Sequence, residues 1–436
     1  MSSSENPPDS DIHKMHQDQL DALVRLHERF LTGRIGGRRA LLRNSDISGL
    51  ELTNLDLRQA DFTGCIMRNM NLSGTNFQES SLYACDLTNA NLYKTVFVRA
   101  DLRGARIENA NLENADLESA DLRVGGVSTD DSFSNSQSVN FRGANLSGAK
   151  LVGSLANSAD FSDAIMAGAK VNNADLRGAV FEGADLSDAD LDGCQMQGAQ
   201  LKSAIMTGVK LDAKALMGLD MSEAITDNNI GKSVSSLEKP LEQLVESHRV
   251  WVQSSGREGE RLDLSNFDLR ELKSLKMEKL TAIRAENTKF FGMNLYKVEM
   301  QSSILDSSDF RRCDLEEADM RGSSLRHVQM GHANLINANF DPLLFGAEGA
   351  QQRFSPCHFD HAVLRYADFS GANLKSAVFK EADLSYANFS GCDLRDADFT
   401  GAITTNTIFD DARTDGSTFN EGGSGKAFSL GALKEE

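Results

Sequence analysis

A five-residue period runs through most of this 436-residue chain and restricts its fold more than any other feature. It is clearest at residues 100–122, ADLRGARIENANLENADLESADL, where every fifth residue is a large aliphatic and the residue two places earlier is alanine. A period of five fits neither the 3.6 residues of an α-helical turn nor the two-residue alternation of a strand. The period therefore predicts a solenoid, in which each repeat packs only on its neighbours.

Phenylalanines recur at intervals of twenty residues in both halves of the chain. Twenty residues are four pentapeptides, so if four repeats form one square turn, these rings stack on the same wall of successive coils. The sets are Phe77 and Phe97; Phe141, Phe161 and Phe181; Phe290 and Phe310; Phe359, Phe379 and Phe399; and Phe369, Phe389 and Phe409.

The repeat resembles the A-(D/N)-L-x-x motif of pentapeptide-repeat proteins. The resemblance implies an all-β solenoid built as a right-handed quadrilateral β-helix, with four pentapeptides per coil. The large central residue would fill the interior, and the slot two places before it should hold only Ala, Ser, Cys or Thr, because a larger side chain would overpack the coil. The place between them and the two that follow should face water. At strand spacing, roughly nine coils in the first solenoid would span about 43 Å.

The chain is interpreted as a tandem duplication of helix, solenoid, break and solenoid, giving two β-helices, each preceded by a short amphipathic capping α-helix. The apolar spacing that begins at Leu20 returns at Leu241, and across each break the next centre follows the last one by nineteen residues, from Leu122 to Phe141 and from Phe340 to Phe359. One extra residue lies between Leu269 and Leu275. The predicted segments are a disordered leader at 1–11, a capping helix and the start of the solenoid at 12–39, a first β-helix at 40–224 with a loop or irregular coil near 128–140, a linker with the second capping helix at 225–260, a second β-helix at 261–420 with a break near 346–358, and a flexible tail at 421–436.

All six cysteines fall in the small slot before a large centre, which predicts buried free thiols without redox or metal chemistry. Cys65 and Cys85 are twenty residues apart and could bridge in an oxidising compartment, although free thiols are expected in a reducing one. The remaining cysteines are Cys194, Cys313, Cys357 and Cys392.

No catalytic constellation is recognisable, and we predict a protein that is not an enzyme, with no catalytic, cofactor-binding or metal-binding residues. Cys357, His358, Asp360 and His361 could suggest a metal site. The five-residue register argues against it, because Cys357 should point inward and the other three outward.

Other histidines and a glycine-rich stretch also lack the arrangement that a site requires. His327 and His332 should lie on successive walls and not converge. Residues 33–39, GRIGGRR, lack the Lys-Ser/Thr of a phosphate-binding loop and follow a helix instead of a strand.

Two features remain open between a binding role and a structural one. His27 and His248 occupy matching positions on the two helices; they are either a repeated binding determinant or polar anchors, and the anchor interpretation is preferred. The basic stretch could contact phosphate or an acidic partner, or be a solvated rim, which is preferred. Its residues are Arg34, Arg38, Arg39 and Arg43.

The formal net charge of −19 disfavours direct binding of nucleic acid or an anionic membrane surface. No apolar run is long enough to span a bilayer, and the polar N-terminus lacks an export signal. A cytoplasmic protein is the expectation.

Three functions are considered. The leading hypothesis is a non-enzymatic scaffold whose faces bind protein partners, with a homodimer left open. Some pentapeptide-repeat proteins imitate duplex DNA and bind type II topoisomerases such as gyrase, so the alternative is an acidic DNA mimic; residues 266–340, however, carry 11 acidic and 11 basic residues. The third is a secreted bacterial effector, because some family members are effectors.

Overall fold

The computed structural model describes residues 13–126, 136–212, 215–345 and 353–419. The chain divides into two compact units, Met1–Asn229 and Ile230–Glu436. Each unit has a helix followed by coiled pentapeptides and contains its own cluster of buried apolar residues. The predicted leader (1–11) and tail (421–436) lie outside the described residues.

Parallel bridges join residues twenty apart and define the coil. Asp61 pairs with Ser81, and Ser81 pairs with Asp101, so each turn holds four pentapeptides. The main-chain hydrogen bonds between coils alternate in direction. Leu82 N–H donates to the carbonyl of Asp101, and Asp101 N–H donates to the carbonyl of Ser80. One such ladder in the first unit contains Asp46, Ile66, Asp86, Arg106, Asn140, Asp160, Val180, Gln200 and Asp220.

The central residues fill the interior as expected, and the phenylalanine ladders are confirmed. Phe141, Phe161 and Phe181 are fully buried, with parallel rings whose centroids are 4.9 and 5.1 Å apart. The other expected stacks are Phe77–Phe97, Phe290–Phe310, Phe359–Phe379–Phe399 and Phe369–Phe389–Phe409.

The expectation that the slot holds only Ala, Ser, Cys or Thr is wrong. Met70, Met293 and Ile283 occupy it and are buried. Ile283 precedes Ala285, a small residue at the central place, so the pair keeps a similar total volume. Cores tolerate exchanges that conserve volume, which accounts for Ile283. Met70 and Met293, by contrast, are buried before the large centres Leu72 and Leu295.

The corners between walls have a backbone conformation that the sequence interpretation did not include. The second residue after most centres has positive φ, as at Gly104 (67°) and Asn109 (56°); the centres Leu122 and Phe340, which precede the two hairpins, are exceptions. The carbonyl of the centre accepts from the N–H three residues on, for example Leu102 from Ala105 at 3.0 Å. This pattern is typical of a type II turn, which favours Gly and Asn at the positive-φ place.

Both breaks insert a hairpin without changing the coil. Arg106 pairs with Asn140 and Ser324 with His358, 34 residues on in each case, so each break adds fourteen residues to one turn. Strand β3 (Gly125–Gly126) pairs antiparallel with β4 (Ser136–Gln137), and β7 (Leu343–Phe345) with β8 (Arg353–Ser355). The interpretation of 128–140 as an irregular loop is therefore corrected at Ser136–Gln137; residues 127–135 lie outside the described part.

A short strand precedes each helix and another follows it, and these two strands pair with each other. In the first unit β1 (His13–Lys14) runs parallel to β2 (Ser45–Asp46), with α1 (Gln17–Leu31) between them. The predicted segment 12–39 therefore begins as a strand and becomes helical only at Gln17.

The second unit repeats this arrangement. Strand β5 (Lys232–Ser233) pairs in parallel with β6 (Phe267–Asp268), and α2 (Leu241–Gln253) follows Pro240 and the 3-10 turn Val234–Ser236. The extra residue predicted after Leu269 is confirmed: Asp268 pairs with Lys289, 21 residues on, and a 3-10 turn spans Arg270–Leu272.

Candidate interaction surfaces

Many carboxylates on the walls are neutralised by an arginine two residues later in the same repeat. Arg177 donates to Asp175 from both Nε and Nη2, at 2.8 and 2.6 Å. Such hydrogen bonds hold the pKa of Asp56, Asp175 and Asp393 below the usual value. The pairs are Asp56–Arg58, Asp101–Arg103, Asp121–Arg123, Asp175–Arg177, Asp268–Arg270, Asp309–Arg311, Asp319–Arg321 and Asp393–Arg395.

Other basic residues reach a carboxylate on a neighbouring coil. Arg68 lies 2.6 Å from Asp86, and Lys380 lies 3.2 Å from Asp398. The densest acidic stretch, residues 185–192, is also divided between walls. Asp190 forms main-chain β-bridges with Lys170 and Lys210 on the two adjacent coils, and Asp185, on the preceding wall, is buried. The negative charge is therefore interrupted along the walls.

His27 and His248 make the same two main-chain contacts in the two units. Ala40 N–H donates to Nδ1 of His27 (3.0 Å), whose Nε2 lies 3.1 Å from the carbonyl of Arg58. Leu262 N–H donates to Nδ1 of His248, and Nε2 lies 3.0 Å from the carbonyl of Thr281. These partners select the Nε2–H tautomer. Both rings are buried, and burial lowers the pKa of each.

The four arginines of the basic stretch after α1 have two kinds of environment. Arg39 donates to the carbonyl of Gln59, and Arg43 donates from Nε to Asp61 at 2.8 Å. Arg34 and Arg38 are exposed.

The six cysteines are free and buried, so Cys65 and Cys85 do not bridge. Each thiol donates to a carbonyl of the preceding coil, as Cys65 does to Leu42 (3.3 Å) and Cys85 to Phe62 (3.0 Å). Slot hydroxyls make the same contact, for example Thr95 to the carbonyl of Leu72 at 3.0 Å. Burial raises the pKa of Cys65 to about 11.

The cysteine–histidine cluster does not converge. Cys357 is fully buried and its thiol lies 3.1 Å from the carbonyl of Met320. His358 pairs with Asp360 at 3.1 Å, whereas His361 pairs with Glu381 at 3.2 Å. Within the described ranges no group of three or more His, Cys, Asp or Glu side chains could hold a metal ion.

Two ladders of aromatic rings lie on neighbouring corners of the second unit. His327 stacks on His361 with centroids 4.9 Å apart. His332 stacks on Tyr366, and Tyr366 on Tyr386, each at 4.8 Å. The expectation that His327 and His332 do not converge agrees with this arrangement, but the stacking was missed. The signal was in the spacing, since the stacked residues are 34 or 20 apart.

The β7–β8 hairpin carries an exposed apolar pair. Leu344 and Phe354 are directly opposite in its register and are 61% and 52% exposed. Among the described helices, none is long and apolar enough to cross a membrane.

The pentapeptides of both units match a known family. A family model described as pentapeptide repeats matches in eight copies, which together cover more than half of the chain. A search of curated proteins gave no match. The matched residues are 40–79, 56–92, 85–123, 140–178, 172–208, 287–341 and 357–396.

Three solved structures illustrate the similarity. QnrB1, a plasmid-mediated fluoroquinolone resistance protein, is 20% identical over 44% of this chain and 93% of its own, with a TM-score of 0.28. HetL, involved in heterocyst differentiation regulation in the cyanobacterium Nostoc sp. strain PCC 7120, is 18% identical over 89% and 94%, with a TM-score of 0.19. Rfr23 from the cyanobacterium Cyanothece 51142 is 29% identical over 30% and 88%, with a TM-score of 0.16.

The family is known for the right-handed quadrilateral β-helix, and the twenty-residue bridges agree with its four pentapeptides per coil. The chain belongs to the pentapeptide-repeat family.

Proposed function

We propose that this protein is a non-enzymatic scaffold of the cytoplasm that binds protein partners through the outer faces of its two β-helices. The observation that carries the proposal is the contrast between a repetitive interior and a varied exterior. The same inward places hold Phe, Leu and Ala coil after coil, whereas one corner row changes from Arg312 to His332 and then to Tyr366 and Tyr386. A rigid frame with locally different outer side chains suits recognition of other proteins.

The helices are proposed to cap the N-terminal end of each β-helix. The N–H groups of Ala40 and Leu262 lie at the start of each solenoid. They donate to the buried histidines of the two helices, His27 and His248. Terminal repeats need such a cover because their apolar edge would otherwise recruit another chain.

The DNA-mimic alternative is favoured by the net charge of −19 and opposed by the Asp–Arg pairs, which interrupt the acidic surface. A gyrase supercoiling assay over a salt series separates the two functions. We expect no inhibition by the wild type. A DNA mimic would inhibit strongly and lose inhibition as salt screens the contact.

The matched variant changes the densest acidic stretch, Asp185, Asp188, Asp190 and Asp192, to Asn. Salt-sensitive inhibition by the wild type that this variant loses would contradict the scaffold proposal. Proximity labelling in the source cell, with the free labelling enzyme as control, should recover a reproducible set of protein neighbours if the scaffold proposal is right.

A further inference from the structure

One wall of the second unit carries a local excess of basic groups. Asp309 and Asp383 lie on this wall, and its basic residues and those of its corner outnumber them four to two. The chain as a whole has a formal net charge of −19. We define the basic strip as six outward residues of this wall and its corner: Lys289, Arg311, Arg312, His332, Arg365 and Tyr366.

The arginines of the basic strip are less exposed than arginines in the same arrangement elsewhere. Arg311 pairs with the aspartate two residues before it, as Arg177 does, but its side chain is 10% exposed whereas that of Arg177 is 55% exposed. Arg365 pairs with an aspartate eighteen residues on, as Arg68 does, and is 26% exposed against 50%. Equivalent places on equivalent walls should have similar exposure, so the difference points to a covering segment over the strip.

Other members of the basic strip show the same effect. The hydroxyl of Tyr366 is buried, although this residue occupies an outer corner. Burial is also the largest cause that lowers the pKa of Lys289. These side chains are already engaged, which fits a covering segment of the chain itself better than an open ligand site. Further interactions, in addition to those named above, are made by Arg311, Arg312, His332, Arg365 and Tyr366.

Residues 420–436 have a composition that suits such a cover. They follow the last described coil of the same unit and read NEGGSGKAFSLGALKEE. The glycine-rich start gives a flexible connection. Phe428 and Leu430 supply apolar side chains, and Glu435 and Glu436 supply the negative charge that a basic surface attracts.

The length of this segment also matches the distance to the basic strip. Four coil steps separate Ile403, on the last coil, from Asp309, whose coil carries Arg311. At strand spacing these steps span about 19 Å. Glu435 lies sixteen positions after Phe419, and a flexible chain of that length has an end-to-end distance of about 22 Å. The two glutamates can therefore reach the arginines of the strip.

We propose that residues 420–436 dock on the basic strip, with Glu435 and Glu436 at its arginines and Phe428 and Leu430 packed beside Tyr366. The docked segment would withhold this wall from other acidic ligands. The inference goes beyond the scaffold function and does not depend on it.

The first test labels the arginines of the full chain with phenylglyoxal and measures each site by peptide mass spectrometry. Arg312 and Arg365 should react more slowly than Arg321 and Arg395, which pair with aspartates on another wall. Removal of residues 420–436 should speed labelling of the first two arginines and leave the other two unchanged.

A charge variant of the full chain makes the same test without truncation. Glu435→Lys with Glu436→Lys should speed labelling of Arg312 and Arg365 by about tenfold, because two ion pairs of up to about 1 kcal/mol each correspond to roughly that factor. The matched control is Glu421→Lys, which changes charge beside the last coil and should leave both rates as in the wild type.

The second test asks whether the segment binds when it is supplied separately. A fluorescein-labelled peptide of residues 420–436 is titrated by anisotropy against the chain that ends at Phe419 and against the full chain. The shortened chain should bind it, with an affinity that falls as salt rises. The full chain should bind it at least about tenfold more weakly, because its own tethered segment competes at a high effective concentration. The peptide with Glu435→Lys and Glu436→Lys should lose binding.

Unchanged labelling of Arg312 and Arg365 after removal of the segment would overturn the inference and show that neighbouring side chains alone cover the strip. Equal binding of the peptide by both chains would also overturn it, because the strip would then be open in the full chain. Protection that disappears on dilution would indicate a second copy as the occupant and would contradict docking within one chain. If the shortened chain does not fold by circular dichroism, labelling of the full-length charge variant gives the decision alone.

Discussion

At the scale of single residues, every pentapeptide combines two demands. The two inward places must fill the interior, where a large slot residue can accompany a small centre, as Ile283 beside Ala285 shows, and the corner must accept positive φ. Inward polar atoms are satisfied in a regular way, because slot thiols and hydroxyls such as those of Cys65 and Thr95 donate to the preceding coil. Cysteine and threonine thus replace alanine while keeping the buried donor paired, whereas the hydroxyl of the buried slot residue Ser154 has no hydrogen-bond partner among the described residues.

The stacked phenylalanines should contribute strongly to stability. Phe161 lies between Phe141 and Phe181 and is fully buried, so Phe161→Ala should cost about 3–5 kcal/mol through lost contacts and a cavity. Ala159→Leu, in the slot before it, should cost about 1–3 kcal/mol through overpacking. Urea midpoints measure both changes, with the exposed Gln197→Ala as control. Near-neutral midpoints for both variants would contradict the inward packing of these two places.

At the scale of elements, the two helices differ from the solenoid because each depends on one buried histidine. His27 and His248 act through ring nitrogens that already have main-chain partners. Phe30 and Trp251 stack on them with centroids 5.7 Å away. The helices are therefore joined to the first coils by a combination of packing and a specific tautomer.

Mild acid should loosen this junction. Burial, the largest cause, lowers the pKa of both histidines, and protonation of Nδ1 would place a proton against the N–H of Ala40 or Leu262. The charged neighbours are Asp56, Glu28 and Arg39 around His27 and Arg261 around His248.

Because the folded-state pKa is below that of the unfolded chain, this stability is fully present above about pH 6.5 and decreases as the pH falls below it. Urea midpoints between pH 7.5 and 5 should therefore fall in the wild type. In the double variant His27→Gln, His248→Gln the decrease should be smaller, although its midpoint at pH 7.5 is lower. An unchanged decrease in the variant would show that other groups cause it.

At the scale of the whole molecule, the chain is two units with the same plan but different outer surfaces. Each has its own buried cluster, from Leu20 to Met206 in one and from Val245 to Phe399 in the other. Duplication kept the inward pattern, the helix and the fourteen-residue hairpin. The two hairpins are inserted after different walls of the coil. The first comes after the wall that contains Asp121, and the second after the wall that contains Asn339.

We propose that the two units fold independently. In a solenoid, stability comes from repeats and their nearest neighbours, so fragments 1–229 and 230–436 should each unfold cooperatively. Their urea midpoints should match transitions of the full chain measured by circular dichroism. A fragment that lacks a cooperative transition, while the full chain has one, would show that the units depend on each other.

The sequence by itself determined the five-residue and twenty-residue periods, and with them the coil, the phenylalanine stacks, the buried cysteines and the duplicated helices. Such local periodic features are predictable because every repeat obeys the same packing rule. The outward pointing of His358 and His361 followed from the same register.

Only the tertiary structure decided what the outer places do together. The hairpin of the first break, the Asp–Arg pairs and the contacts of His27 depend on backbone groups that come from other coils or on side-chain geometry. The stacked rings of the second unit are the clearest case, because His332 and Tyr366 are 34 residues apart in sequence and become neighbours only when the hairpin leaves the coil unchanged. A single repeat contains no information about which residue lies above it, because the neighbour comes from another coil.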